Sequence, residues 1–163
     1  MTLRLAQAAD APALRELAVT TYVAAFGSSF RPEDLAAHLE RALSSECITA
    51  MILEHRVWVA EEDGRLLGYA ELAERDTHWE LRRLYVLACL QRRGLGSRLL
   101  EAALAVPEAT DEVRLEVWAH NPDAQRLYER YGFRVTGRRS FEVASSAPTS
   151  DEVIMVRRPD VRG

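Results

Sequence analysis

Residues 84–100 read Leu84-Tyr85-Val86-Leu87-Ala88-Cys89-Leu90-Gln91-Arg92-Arg93-Gly94-Leu95-Gly96-Ser97-Arg98-Leu99-Leu100. The apolar run Leu84 to Leu87 closes a strand predicted over Trp79 to Leu87. Leu95, Leu99, Leu100, Ala103 and Leu104 then recur at helical spacing, so a helix is predicted from Gly94 to Val106. A strand therefore feeds a helix through a glycine turn. The first N–H groups of a helix have no intrahelical partner, and here they face outward from that turn. Gly94 and Gly96 let backbone approach a ligand closely, the helix dipole adds partial positive charge, and Arg92, Arg93 and Arg98 add full charges. A pyrophosphate suits such a place. The same letters also serve an ordinary strand-to-helix connection that uses glycine only for its φ freedom. Two other phosphate motifs are excluded: the chain has no lysine for a Walker loop, and Leu99 stands where a dinucleotide fingerprint needs a third small residue.

Upstream, Leu3 to Ala6 alternates like a first strand, and Asp10 with Pro12 opens a helix whose apolar stripe is Leu14, Leu17, Ala18, Thr21 and Ala25, flanked by Tyr22 and Phe26. Helices are predicted over Pro32 to Leu43 and Glu46 to Glu54, the latter capped by Ser45. Val57 to Ala60 and Leu66 to Leu72 are β-rich runs joined through Asp63-Gly64, a hairpin signal. Downstream, Val113 to Ala119 alternates as a strand. Asn121-Pro122 caps a helix carrying Ala124, Leu127, Tyr128 and Tyr131, which ends at Gly132. Phe133 to Val143 and Val153 to Arg157 complete the strands, with Ala144 to Ser150 a small-residue loop between them.

The length of 163 residues fits one domain, read over residues 1–163, with ordinary globular composition. The net charge of −4 argues against a nucleic-acid binder relying on bulk positive potential. No apolar stretch approaches the length that spans a bilayer, and the N-terminus lacks the pattern of a secretory signal, so a cytoplasmic address is expected. Cys47 and Cys89 have no metal-type spacing; both read as buried small hydrophobes, and no metal is expected.

Gln/Arg-x-x-Gly-x-Gly after Leu84-Tyr85-Val86, followed by Asn121-x-x-Ala124-x-x-Leu127-Tyr128-x-x-x-Gly132-Phe133, resembles the two signature motifs of the GNAT superfamily of N-acetyltransferases. The similarity runs from the opening strand to Met155, with one departure at Ala88-Cys89-Leu90, where relatives more often have proline and a polar or aromatic residue. The resemblance implies an α/β fold, more strictly α+β. Its twisted, mostly antiparallel sheet of about seven strands has splayed central strands and flanking helices. It implies acetyl-CoA as co-substrate, held by Leu84, Tyr85, Val86, Gln91, Arg92, Arg93, Gly94, Leu95, Gly96, Ser97, Asn121 and Ala124. Leu84 and Val86 are then expected to pair with the pantetheine arm, and the Val86 N–H to polarise the acetyl carbonyl. Tyr128 occupies the family's general-acid position.

Glu80 is expected as the base, directly or through water, because it starts the strand that presents the thioester; a plain surface carboxylate is the alternative. His78 and Glu116 rank behind it, and His120 is expected to face solvent. Tyr22, Phe26 and the acidic set Glu71, Glu74, Asp76 and Glu80 are candidates for an acceptor groove, with Glu80 serving both roles. Thr21-Tyr22 to Phe26, the extra helix near Ser45, Glu80-Leu81-x-Arg83-Leu84-Tyr85-Val86 and Asp151-x-x-x-Met155 resemble, more loosely, bacterial spermine/spermidine N-acetyltransferases. The expected partner is therefore a small amine, a polyamine first, with no nucleic acid and no membrane; a homodimer is compatible with the chain. A peptide N-terminal acetyltransferase and a non-catalytic acetyl-CoA sensor are the competing functions. Acyl transfer through Cys89 is disfavoured because no histidine adjoins it in sequence.

Overall fold

The chain, described here by a computed structural model over residues 1–142 and 149–159, is built on one seven-stranded sheet in the order β1-β2-β3-β4-β5-β7-β6. Its strands are β1 (Thr2–Leu5), β2 (Arg56–Glu62), β3 (Arg65–Glu74), β4 (Trp79–Val86), β5 (Val113–Trp118), β6 (Arg134–Glu142) and β7 (Thr149–Arg157). Every neighbouring pair is antiparallel except β4 with β5. The helices are α1 (Ala11–Phe26), α2 (Pro32–Ala42), α3 (Ser45–Glu54), α4 (Leu95–Leu104) and α5 (Pro122–Arg130).

Two apolar cores lie against the sheet. In one, α4 lays Leu95, Leu99, Leu100 and Ala103 on Leu72, Leu81, Leu115 and Met155, with Phe133 fully buried beside them. In the other, Leu14, Leu17 and Ala18 of α1 and Ile48 and Met51 of α3 cover Val57, Val59 and Tyr69. The period-2 alternation of the strands and the helical stripes of α1 and α4 produce this division, because each apolar set can be buried only against the other. Gly68 marks the closest approach: a Cβ there would stand 2.9 Å from the Tyr85 carbonyl oxygen and 3.1 Å from Leu99 Cδ1.

The parallel pairing of β4 with β5 is short, running only from Trp79↔Val113 to Leu81↔Leu115. Against β3, Glu71 pairs with Arg83 and Leu72 with Leu81, so Arg82 is an extra residue in β4. Such a bulge bends the strand that carries it, and here it falls one residue past the last β4–β5 pair. The strands part from that point, opening the central gap that the family resemblance implied.

Several local expectations are corrected. Ser44, not Ser45, caps α3: its Oγ accepts the Cys47 N–H at 3.2 Å. Cys47 and Cys89 are exposed rather than buried. Cys47 lies on the outward face of α3 beside buried Ile48, and Cys89 in the short 3-10 turn Ala88–Leu90 ahead of α4. β7 begins at Thr149 rather than Val153, and most of the loop expected at Ala144 to Ser150 lies outside the described residues.

Candidate active site

Strand alternation decides which way the free edge of β4 points. The Leu87 N–H donates to the Leu67 carbonyl at 3.0 Å, so Leu87 and, two residues back, Tyr85 turn their backbone groups toward β3. Leu84 and Val86 therefore turn theirs into the gap left by β5. In keeping with this, the Val86 carbonyl accepts a long bond from Gln91 Nε2 at 3.4 Å. At the gap's far end α4 starts without a side-chain cap. Gly94, at φ +82°, turns the chain, and the first intrahelical bond is from the Arg98 N–H to the Gly94 carbonyl. The amides of Leu95, Gly96 and Ser97 precede that bond and have no partner within the helix. A Cβ on Gly96 would meet nothing nearer than Val86 Cγ2 at 3.9 Å, so its missing side chain leaves open space on the side of β4.

The arginines of this loop are less uniform than the sequence implied. Arg92, also at positive φ, reaches across to α5 and pairs with Asp123 at 2.8 Å, and Asp123 in turn pairs with Arg126. Arg93 is exposed. Asn121 caps α5 by accepting the Ala124 N–H at 3.2 Å. Asn121 and Ala124 thereby form the rim opposite Gln91 in a cleft of about 560 Å³ that also takes in Leu84, Tyr85 and Val86.

Tyr128 of α5 lies beneath this cleft and lines it, 8% exposed, its ring edge-on to Phe133 at 5.8 Å. Among the described residues, none hydrogen-bonds its hydroxyl. Burial, and secondarily Tyr85, pushes the phenol above its ordinary range, so it holds its proton throughout neutral pH.

The acceptor end differs most from expectation. Glu71 is 1% exposed and fully engaged, by His55 Nδ1 at 2.6 Å, by the guanidinium of Arg83 and by Arg82 Nε at 3.4 Å. Glu74 and Asp76 are exposed around the end of β3 and line neither cleft. Of that acidic set only Glu80 faces a cavity, a smaller cleft of about 290 Å³, and it is ion-paired to Arg75 at 2.7 Å. The four acidic residues do not share one groove, because strand alternation sends Glu71 inward onto His55 and Arg83. His78 contacts Thr77 and lines neither cleft.

Glu116 of β5 and Glu152 of β7 take that place. Both line both clefts, share a hydrogen bond and flank Arg139 of β6. Burial, then the hydrogen bond and charge of Glu152, and weakly Glu80, push Glu116 up to about 7, with Arg139 opposing. A carboxyl poised there can take up a proton at neutral pH. Sequence ranked Glu116 behind Glu80 and did not single out Glu152 or Arg139, which meet across three strands; their only signal was alternation placing Glu116 opposite Leu115 and Val117. Tyr22 and Phe26, the aromatic candidates for an acceptor groove, line the larger cleft, and His120, exposed as expected, joins its wall by edge-to-face contact with Trp118 at 5.2 Å. No group of three or more metal-ligating side chains occurs among the described residues.

Comparison with known proteins agrees with this geometry. The family model described as Acetyltransferase (GNAT) domain matches residues 26–146. An uncharacterized N-acetyltransferase of Mycobacterium tuberculosis is 32% identical over 155 residues, covering 91% of this chain and 97% of its own. Among solved structures, the PaiA N-acetyltransferase of Thermoplasma acidophilum, in complex with coenzyme A, superposes with a TM-score of 0.76 at 22% identity, over 97% of this chain and 99% of that one. A ribosomal-protein-alanine N-acetyltransferase of Brucella melitensis gives 0.67 at 22% identity, again over 97% and 99%. The splayed β4–β5 pair, the uncapped glycine turn, the buried tyrosine and the family match together establish that the chain belongs to the GNAT family of acetyltransferases.

Proposed function

We propose that the protein transfers the acetyl group of acetyl-CoA directly to a primary amine. The observation that carries this reading is the alignment of three features along one gap: the amides at the start of α4 that have no partner within the helix, the outward backbone of Leu84 and Val86, and the hydroxyl of Tyr128, which has no hydrogen-bond partner among the described residues. They suit, in order, a pyrophosphate, an extended amide-bearing arm and a leaving sulfur. Gly96 leaves room for the first, since only Val86 Cγ2 stands within 4 Å of its absent Cβ.

Acetyl-CoA supplies the activated acyl group as a thioester. Every other requirement falls on this chain. An ammonium has no lone pair, so a proton must first leave the amine; Glu116, in its carboxylate form, is placed to take it. The Val86 N–H faces the gap and can donate to negative charge developing on the acyl oxygen, as a single preorganised donor. As the C–N bond forms and the C–S bond breaks, Tyr128 Oη can give its proton to sulfur, and the second proton leaving the nitrogen, carried through water, restores the phenol. Glu80, which the sequence favoured as base, is proposed as a carboxylate of the approach: it lines the smaller cleft and its charge is shared with Arg75.

Among amines, a polyamine remains the finer expectation from sequence, but its support narrows to Glu116, Glu152 and Glu80, each facing an arginine. The transfer reading is tested by incubating the protein with acetyl-CoA and a panel of primary amines and following free thiol together with the mass of the amide. Thiol release that depends on amine supports it; tight acetyl-CoA binding with no acetylated amine would identify a sensor instead.

A further inference from the structure

The larger cleft has a wall of rings that stand mostly outside the two cores. Phe30 lies 5.5 Å from His38, His38 stacks on Tyr22 at 5.0 Å, Tyr22 tilts against Phe26 at 4.9 Å, and Phe26 meets the edge of Trp118 at 5.8 Å. These are the separations of favourable aromatic pairs. The wall is drawn from α1, α2 and the turn between them, and it crosses the gap to β5 through Phe26 and Trp118. Phe26, Phe30, His38 and Trp118 belong to neither core cluster, and only Tyr22 packs partly against one. Large rings gathered at a cavity rather than in a core mark a surface kept for a ligand.

The wall is uncharged. Burial, then Glu152, pushes the Tyr22 phenol up to about 12, and burial, then Arg41, lowers His38, so both are neutral near pH 7. Its negative charge lies at one end, where Glu152 acts on Tyr22 and, with Glu116, flanks Arg139; toward the other end Arg41 contacts His38 at 3.3 Å. Glu116 and Glu152 beside Arg139 carry at most one uncompensated negative charge between them, a place for no more than a single cation. Farther along, Arg82 and Arg83 line the same cleft and would oppose a second cation.

Building on the transfer reading above, we infer that the acceptor is a monocationic primary amine with an aromatic body, of the phenethylamine or tryptamine type. Its ring packs against Phe26 and Trp118 while its ammonium sits at Glu116 and Glu152. The amine thereby enters the cleft that Leu84 and Val86 also line, with its ring on the Phe26–Trp118 pair.

The test compares kcat/KM for phenethylamine, tryptamine, ethylamine, spermidine and an alanine-initiated peptide, in the wild type and in Phe26→Ala, Phe26→Leu and Trp118→Ala, with acetyl-CoA affinity as the check on folding. The inference predicts that phenethylamine or tryptamine exceeds spermidine and the peptide by at least about tenfold. It further predicts that Phe26→Ala and Trp118→Ala lower the phenethylamine-to-ethylamine ratio by about tenfold or more, mainly through KM, with Phe26→Leu falling between. Preference for spermidine or the peptide, or equal losses on both amines in variants that still bind acetyl-CoA, would overturn it. If ethylamine is acetylated but the aromatic amines gain nothing, this inference alone falls. If no amine is acetylated while acetyl-CoA binds, the transfer reading falls and takes this one with it.

Discussion

In the proposed reaction Tyr128 and Glu116 divide the proton chemistry, and each assignment has its own signature. Tyr128→Phe removes a hydroxyl that has no hydrogen-bond partner among the described residues and leaves the ring on Phe133. The fold should therefore persist, while kcat falls by about 10²-fold or more with little change in acetyl-CoA affinity, as steady-state rates and calorimetry will report. Glu116 faces Glu152 from β7, Arg139 from β6 and Glu80 from β4, with Tyr22 of α1 against Glu152. Because its carboxyl is pushed up to about 7, the base form gains population as pH rises through neutrality. The rate should climb over the same interval, and Glu116→Gln should depress it and flatten that climb, whereas Glu80→Gln should keep the slope. Stability moves the opposite way. A folded-state pKa above the unfolded value means the ionised carboxylate is disfavoured in the native protein once pH exceeds the unfolded pKa. The penalty is complete above about 7 and absent below the unfolded value. Glu116→Gln should thus raise Tm at pH 8 and leave it unchanged near pH 4, by calorimetric scans. Tyr128 was legible in sequence because Asn121 and Gly132-Phe133 frame it at fixed spacing. Glu116 with Arg139 and Glu152 was not, since those partners lie 23 and 13 residues apart along the chain and meet only through strand register.

The gap depends on two elements, the bulged strand β4 and the helix α4. The strand-to-helix junction was readable from residues 84–100 because apolar period changes there and glycine marks the turn. The bulge was not, because Arg82 differs from its neighbours only in register with β3. Gly96→Val should weaken acetyl-CoA binding at least tenfold, about 1.4 kcal/mol, by calorimetry. The fold should survive, since Val86 Cγ2 at 3.9 Å is the nearest atom to the new Cβ. Gly68→Ala should behave differently. Its Cβ would meet the Tyr85 carbonyl oxygen at 2.9 Å and Val86 Cγ2 at 3.2 Å, so it overpacks the contact between β3, β4 and α4. A loss of about 1–3 kcal/mol in urea denaturation is expected.

Across the whole molecule, the two cores support the two sides of the proposed reaction. The core under α4 fixes the glycine turn and Tyr128, and the core under α1 and α3 fixes the outer helices that carry the ring wall. The first side was legible in sequence, because its residues lie within two short motifs. The second was only partly so: Tyr22 and Phe26 were picked out, but His38, Phe30 and Trp118 join them through the packing of α1, α2 and β5. Among the described residues no helix is long and apolar enough to cross a membrane. The central claim is direct transfer from acetyl-CoA to an amine, with Tyr128 completing the departure of sulfur. The most direct test follows free thiol and acetylated amine together, at saturating acetyl-CoA, for the wild type and Tyr128→Phe. The account predicts equal amounts of thiol and amide, formed only when amine is present, and a rate about 10²-fold lower in the variant. Thiol release without amide, or equal rates in the two proteins, would contradict it.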